Sequence, residues 1–325
     1  MSWTSKQRLL AALRMEIPDR LPVTTHHVMP FFLRNAMNGM SVDEFFDDFG
    51  MDPIRWIVAH KPDESRGDYI DPKQGRREFL QPPRISAAGW RIETVRLPHP
   101  DYKTVHYTIV TPEKTLSMTL QSDDHTTWVT ERLIKEKSDV ETFAKYAPIP
   151  LCDVEEVNRQ VTAQGEKGLI RGTVPGFDIY GQPGCWQDAA VLFGIERLIL
   201  ETYDDPEWVH TFLAILRDRK KIFIRSMKGA KFDLVELGGG DASSTVISPK
   251  IFDEFVALYD ADLIEAAHQA GQKIVYHTCG GMMPLLESLA DMNPDAVETF
   301  TPLALGGDTN LKEAKRSVAS ATASA

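Results

Sequence analysis

The chain has 325 residues, 42% of them hydrophobic and 26% charged, which suits one large globular domain. Lys and Arg number 36 against 47 Asp and Glu, and the formal net charge of -11 argues against a diffuse nucleic-acid or anionic-membrane partner. Three scattered cysteines exclude a disulfide framework, and no apolar run approaches the roughly 20 residues of a membrane span, so a cytoplasmic location is expected.

In chain order, Ser5 is placed to cap a helix whose Leu9, Leu10, Leu13 and Met15 form one stripe, and Pro18 ends it. The amphipathic, charged start reads as that helix and not as a signal peptide. A short strand is expected at Leu21 to Thr25, helices at Met29 to Met37 and Val42 to Phe49, and a second strand at Pro53 to Ala59. Between Arg84 and Leu133, stretches such as TVHYTIVTP and TTWVTERLI carry β-branched residues between turn signals, the pattern of an inserted antiparallel meander. Next come a capped helix (SDVETFAKYA), a strand (GLIRGTVPG), helices over Gln182 to Leu200 and Asp205 to Lys228, and a strand ending in glycines (KFDLVELGGG). A helix from Pro249 to Ala270, the strand KIVYHTCGG, a helix over Met282 to Leu289 and the strand in DAVETFTP complete the series.

From residue 165 onward, strand and helix alternate, which is the signature of parallel βα units and predicts a parallel barrel. In such barrels the chemistry sits at the C-terminal ends of the strands. Those ends carry the candidates. Side chains two apart on a strand point the same way, so His277 and Cys279 aim an imidazole and a thiol at one point, as a metal-ligand pair or a reactive thiol with its base. Glu236 stands on a strand as a catalytic acid or an oxygen ligand, and Asp241 beyond the glycines is a catalytic carboxylate or a helix N-cap. Asp178 and Tyr180, in GFDIYG, are a catalytic and a substrate-binding candidate, or shape a turn. His26 is expected to face the pocket and bind substrate, with His27 on the surface, while Glu298 is a second substrate contact or a solvated strand residue. Cys152 and Cys185 read as structural.

SKQRLLAALRMEIPDRLPV, VELGGGDASSTVISPKIFDEFV and AAHQAGQKIVYHTCGG resemble the uroporphyrinogen decarboxylase superfamily, in the branch related to corrinoid-dependent methyltransferases. The resemblance runs from residue 5 to about 316, and its most specific part is the H-T-C-G motif in its strand. It implies a (β/α)8 barrel. It also implies that His277 and Cys279 are the first two ligands of a zinc ion, and that a methyl group passes between a small-molecule donor or acceptor and a corrinoid protein or thiol. The alternative implied activity, decarboxylation of a porphyrinogen in porphyrin biosynthesis, goes with an R-Q-A-G-R loop after the first strand. Here that loop is THHVMPFFLRNAMNG, with Arg34 alone.

The chain departs from the family pattern at its end. No cysteine follows Cys279 to supply the later ligand, and Ser317 to Ala325 is a small-residue tail with no strand pattern. Six candidate barrel strands lie in a single domain over residues 1–316, whereas closure takes eight. The expectation is a barrel lacking its last two strands, with residues 317–325 as a tail, exposed edges that favour a homo-oligomer, and the alternative of a truncated, non-catalytic homologue.

Overall fold

The computed structural model describes residues 3–74, 82–176 and 183–322. At its centre is a five-stranded sheet in the order Ile54–Trp56, Leu169–Thr173, Leu234–Gly238, Ile274–His277, Ala296–Glu298. Every neighbouring pair is parallel. Helices carry the chain from strand to strand: Cys185–Phe193, Ile195–Asp204 and Pro206–Ser226 between the second and third, Leu258–Gln269 between the third and fourth, Leu286–Asp291 between the fourth and fifth. The βα rhythm read from the sequence is therefore present. Gly194, at φ +107°, breaks the helix expected over Gln182 to Leu200 into two.

The register divides the sheet into two faces. Residues paired in a parallel ladder share a face, as do residues two apart on one strand. The pairs Ile54 with Leu169, Arg171 with Leu234, Glu236 with Val275 and Val275 with Ala296 thus place Ile54, Leu169, Leu234, Val275 and Ala296 on one face. Those five pack against Leu9, Leu10 and Leu13 of the N-terminal helix Ser5–Leu13. On the same face, each two residues further along its strand, lie Trp56, Arg171, Glu236, His277 and Glu298. The opposite face sends Val235, Leu237, Ile274 and Tyr276 into the main core, with Phe212 and Phe223 of the long helix and Phe252, Phe255 and Leu263.

Thr4, not Ser5, caps the first helix: its hydroxyl accepts from Gln7 N, and the Gln7 side chain accepts from Thr4 N. Buried Arg8 of that helix donates to Asp19 at 2.6 Å and to Asp52 at 2.5 Å. Asp52 explains why Leu21 to Thr25 is irregular and not the expected strand. Pro22 has no N–H to give a ladder, and Val23 N donates to the Asp52 carboxylate at 3.0 Å.

Arg91–Leu97, Lys103–Val110, Thr115–Ser122 and Thr127–Glu131 form the expected antiparallel meander. Ile109, Leu116, Met118 and Leu120 attach it to the main core. The stretch read as a tail from Ser317 instead continues a helix, Leu311–Thr322, which docks through buried Ala314. Alanine and serine carry no strand pattern, but alanine is the best helix former. No helix among the described residues is long and apolar enough to cross a membrane.

Candidate active site

Arg171, Glu236, His277 and Glu298, all on strands of the sheet, form a network of five side chains with His26. Glu236 is fully buried, Arg171 is 2% exposed and His277 is 3% exposed. Charges so removed from water persist only when paired. Arg171 Nη1 donates to Glu298 Oε2 at 2.9 Å, and Nη2 donates to both Glu298 Oε1 and Glu236 Oε2. The Trp56 ring lies under the guanidinium, 4.4 Å from its centroid. His26 Nε2 is 3.1 Å from Glu236 Oε2 and 3.4 Å from Glu298 Oε1. His277 Nδ1 is 2.9 Å from Glu298 Oε1, and its Nε2 is 2.8 Å from Cys279 Sγ.

The neighbours set the protonation. Burial alone would lower His277, but hydrogen bonds to Cys279 and Glu298 outweigh it and raise the pKa to about 10. For His26, too, burial is outweighed by Glu236 and Glu298, and the pKa is raised. Burial also works against charge on Glu298 and Glu236, yet the histidines and Arg171 hold both carboxyls below their ordinary values. His27 goes the other way: burial and the neighbouring charge of His26 lower it to about 4.

Four expected residues thus meet here: His26, Glu236, His277 and Glu298 offer ligand atoms within 4.8 Å of one another, a set that could hold a metal ion. Cys279 joins through His277. It lies just past the strand's last residue, in a turn where Gly280 takes φ +88°. Asp241 is not among them. Its carboxylate accepts from Gln187 Nε2 at 2.9 Å and its N–H donates to Gln187 Oε1 at 2.9 Å, which fixes the glycine turn to the helix Cys185–Phe193. Burial raises its pKa. It caps no helix, contrary to the alternative reading. His27 is not a surface residue: it is half-buried, with Nδ1 2.9 Å from His26 Nδ1. Asp178 and Tyr180 lie outside the described residues.

Arg171 is the residue that sequence reasoning missed. A signal existed: a charged residue in the middle of LIRGT, a strand buried at every position, requires a buried counter-charge.

An α/β protein that gathers its ionised side chains toward the C-terminal ends of parallel strands is the class that fold and site define, and it is consistent with a TIM-barrel-like arrangement. The uroporphyrinogen decarboxylase (URO-D) family model matches residues 77–322, and the chain belongs to that family. Its fold is similar to that of a methyltransferase from Methanosarcina mazei, at TM-score 0.53 and 15% identity, over 98% of this chain and 80% of that one. No curated protein matches the sequence.

Proposed function

We propose that this family member is a methyltransferase that holds zinc on His277 and Cys279 and moves a methyl group between a small molecule and a corrinoid protein or a thiol. The observation that carries the reading is the convergence of His277 Nε2 on Cys279 Sγ, 2.8 Å apart, while Nδ1 rests on Glu298. An imidazole whose far nitrogen is held by a carboxylate is the usual arrangement of a metal-binding histidine. Glu236 and His26 are the groups at hand to complete the shell, since two protein ligands fall short of the three usual in a catalytic zinc site. Zinc would supply a Lewis acid that keeps a bound thiol deprotonated at neutral pH.

The chain's own residues provide the surroundings. Arg171 bridges Glu236 and Glu298, and its charge together with those of His26 and His277 offsets the repulsion between the two carboxylates. His26, its pKa raised, holds a proton on Nε2 against Glu236 Oε2 at 3.1 Å, and would release it on joining the shell. A decarboxylase acting on a polycarboxylate would need free cations. Arg34 is exposed on the helix Pro30–Ala36, and Arg171 is committed to two carboxylates.

Metal analysis tests the proposal. Purified protein should carry zinc in stoichiometric amount, and Cys279→Ser should lose it. Metal-free protein that still decarboxylates a polycarboxylate would replace this reading with the decarboxylase one.

A further inference from the structure

We infer that Arg171 is a positioning residue of this site, acting through Glu298 to fix the orientation of His277. The inference rests on the zinc reading above. Arg171 holds Glu298 with both prongs of its guanidinium, Nη1 on Oε2 at 2.9 Å and Nη2 on Oε1. A two-point grip leaves the carboxylate no freedom to rotate. Glu298 Oε1 then faces His277 Nδ1 at 2.9 Å, and the imidazole, held on that side, presents Nε2 to Cys279. Trp56, beneath the guanidinium, and Glu236, bonded to the same Nη2, hold Arg171 itself in place.

Each link is a direct contact, and the chain crosses three separate strands: Leu169–Thr173 supplies Arg171, Ala296–Glu298 supplies Glu298 and Ile274–His277 supplies His277. Without Arg171, Glu298 would be free to turn toward water, since its side chain is 23% exposed, or toward His26. Glu236, fully buried, would compete for the same histidines. His277 would then lose the fixed acceptor that directs Nε2. Lysine cannot stand in, because a single ammonium cannot hold both oxygens of a carboxylate in one plane.

The test is cobalt(II) binding to the full chain, read by absorption. The thiolate-to-cobalt band reports Cys279, and the ligand-field bands report geometry. Wild-type protein should show both, with the first absent in Cys279→Ser. Arg171→Met should weaken cobalt binding by about 10- to 100-fold, the cost of losing an outer-shell partner, and shift the ligand-field bands. Arg171→Lys should recover part of the affinity but not the wild-type spectrum. Because Arg171→Met leaves two carboxylates facing each other, the double variant Arg171→Met/Glu236→Gln supplies a second measurement should the single variant fail to fold. A folded variant of either kind with wild-type affinity and spectrum overturns the positioning role and leaves the zinc reading standing. Wild-type protein without a thiolate-to-cobalt band overturns the zinc reading, and this inference with it.

Discussion

At the scale of single residues, His277 couples folding to protonation. Its pKa of about 10 in the folded chain stands above the ordinary 6.5, so the fold favours the protonated ring. The resulting stabilisation is complete below pH about 6.5 and is lost as pH rises toward about 10. Chelator-treated protein should therefore show denaturation midpoints that fall across that window, and His277→Gln should flatten this part of the profile. An unchanged slope in the variant would assign the pH dependence elsewhere. His277, Cys279 and Glu298 were legible as candidates because each stands at or just past a strand end, Glu236 because glycines follow it, and His26 because it follows a stretch read as a strand. Their mutual partners were not. Which carboxylate meets which histidine depends on the register between strands far apart in sequence, and Arg171, in mid-strand, carries none of the punctuation that marks a strand end.

At the scale of elements, the glycine turn after Leu234–Gly238 is set by backbone geometry. Gly238 has φ +106°, and a Cβ built there would lie 2.3 Å from the carbonyl oxygen of His277 on the next strand. Gly238→Ala should cost about 2 kcal/mol or more, from the left-handed backbone and from the clash, which can be relieved only by moving the strand that bears His277. Urea unfolding measures the first effect, and zinc content should fall with it. Asp139 makes a comparable device at the start of the helix Asp139–Tyr146, accepting from Lys135 N at 2.8 Å and Glu136 N at 3.0 Å. Asp139→Ala should lower stability by about 1 to 2 kcal/mol in the same measurement and leave metal content unchanged. Helices and meander were readable because their signals are local: caps, periodicity and turn residues. The segment from Leu21 to Thr25 was misread because apolar residues in alternation look alike whether their N–H groups meet a strand or, as at Val23, the side chain of Asp52.

At the scale of the whole molecule, Ile54–Trp56 and Ala296–Glu298 are the edges of the central sheet among the described residues. Exposed apolar side chains lie near both, on a segment hydrogen-bonded just before the first edge and close in sequence to the second. Leu21 is 82% exposed on the segment that meets the chain just before the first edge, and Leu303 and Leu305 are 80% and 76% exposed just after the second. Each would gain about 1.5 to 3 kcal/mol by full burial. Self-association at micromolar concentration is the expected outcome, and light scattering after gel filtration should show the double variant Leu303→Glu/Leu305→Glu shifted to monomer with its thermal stability unchanged. A wild-type chain that stays monomeric at every concentration would refute this.

The guanidinium of Arg171, shared between two carboxylates from two other strands, also restricts how the sequence can drift. Truncating any one of the three takes a hydrogen-bonded partner from a charge held out of water, a loss on the order of 3–5 kcal/mol, a large part of the total stability of a typical domain. Positions 171, 236 and 298 should therefore be inherited as a unit. Among relatives that keep the fold, arginine should be replaced at 171 only where at least one of the two acids has been replaced as well, so that counting paired changes in homologous sequences tests the network without purifying any protein.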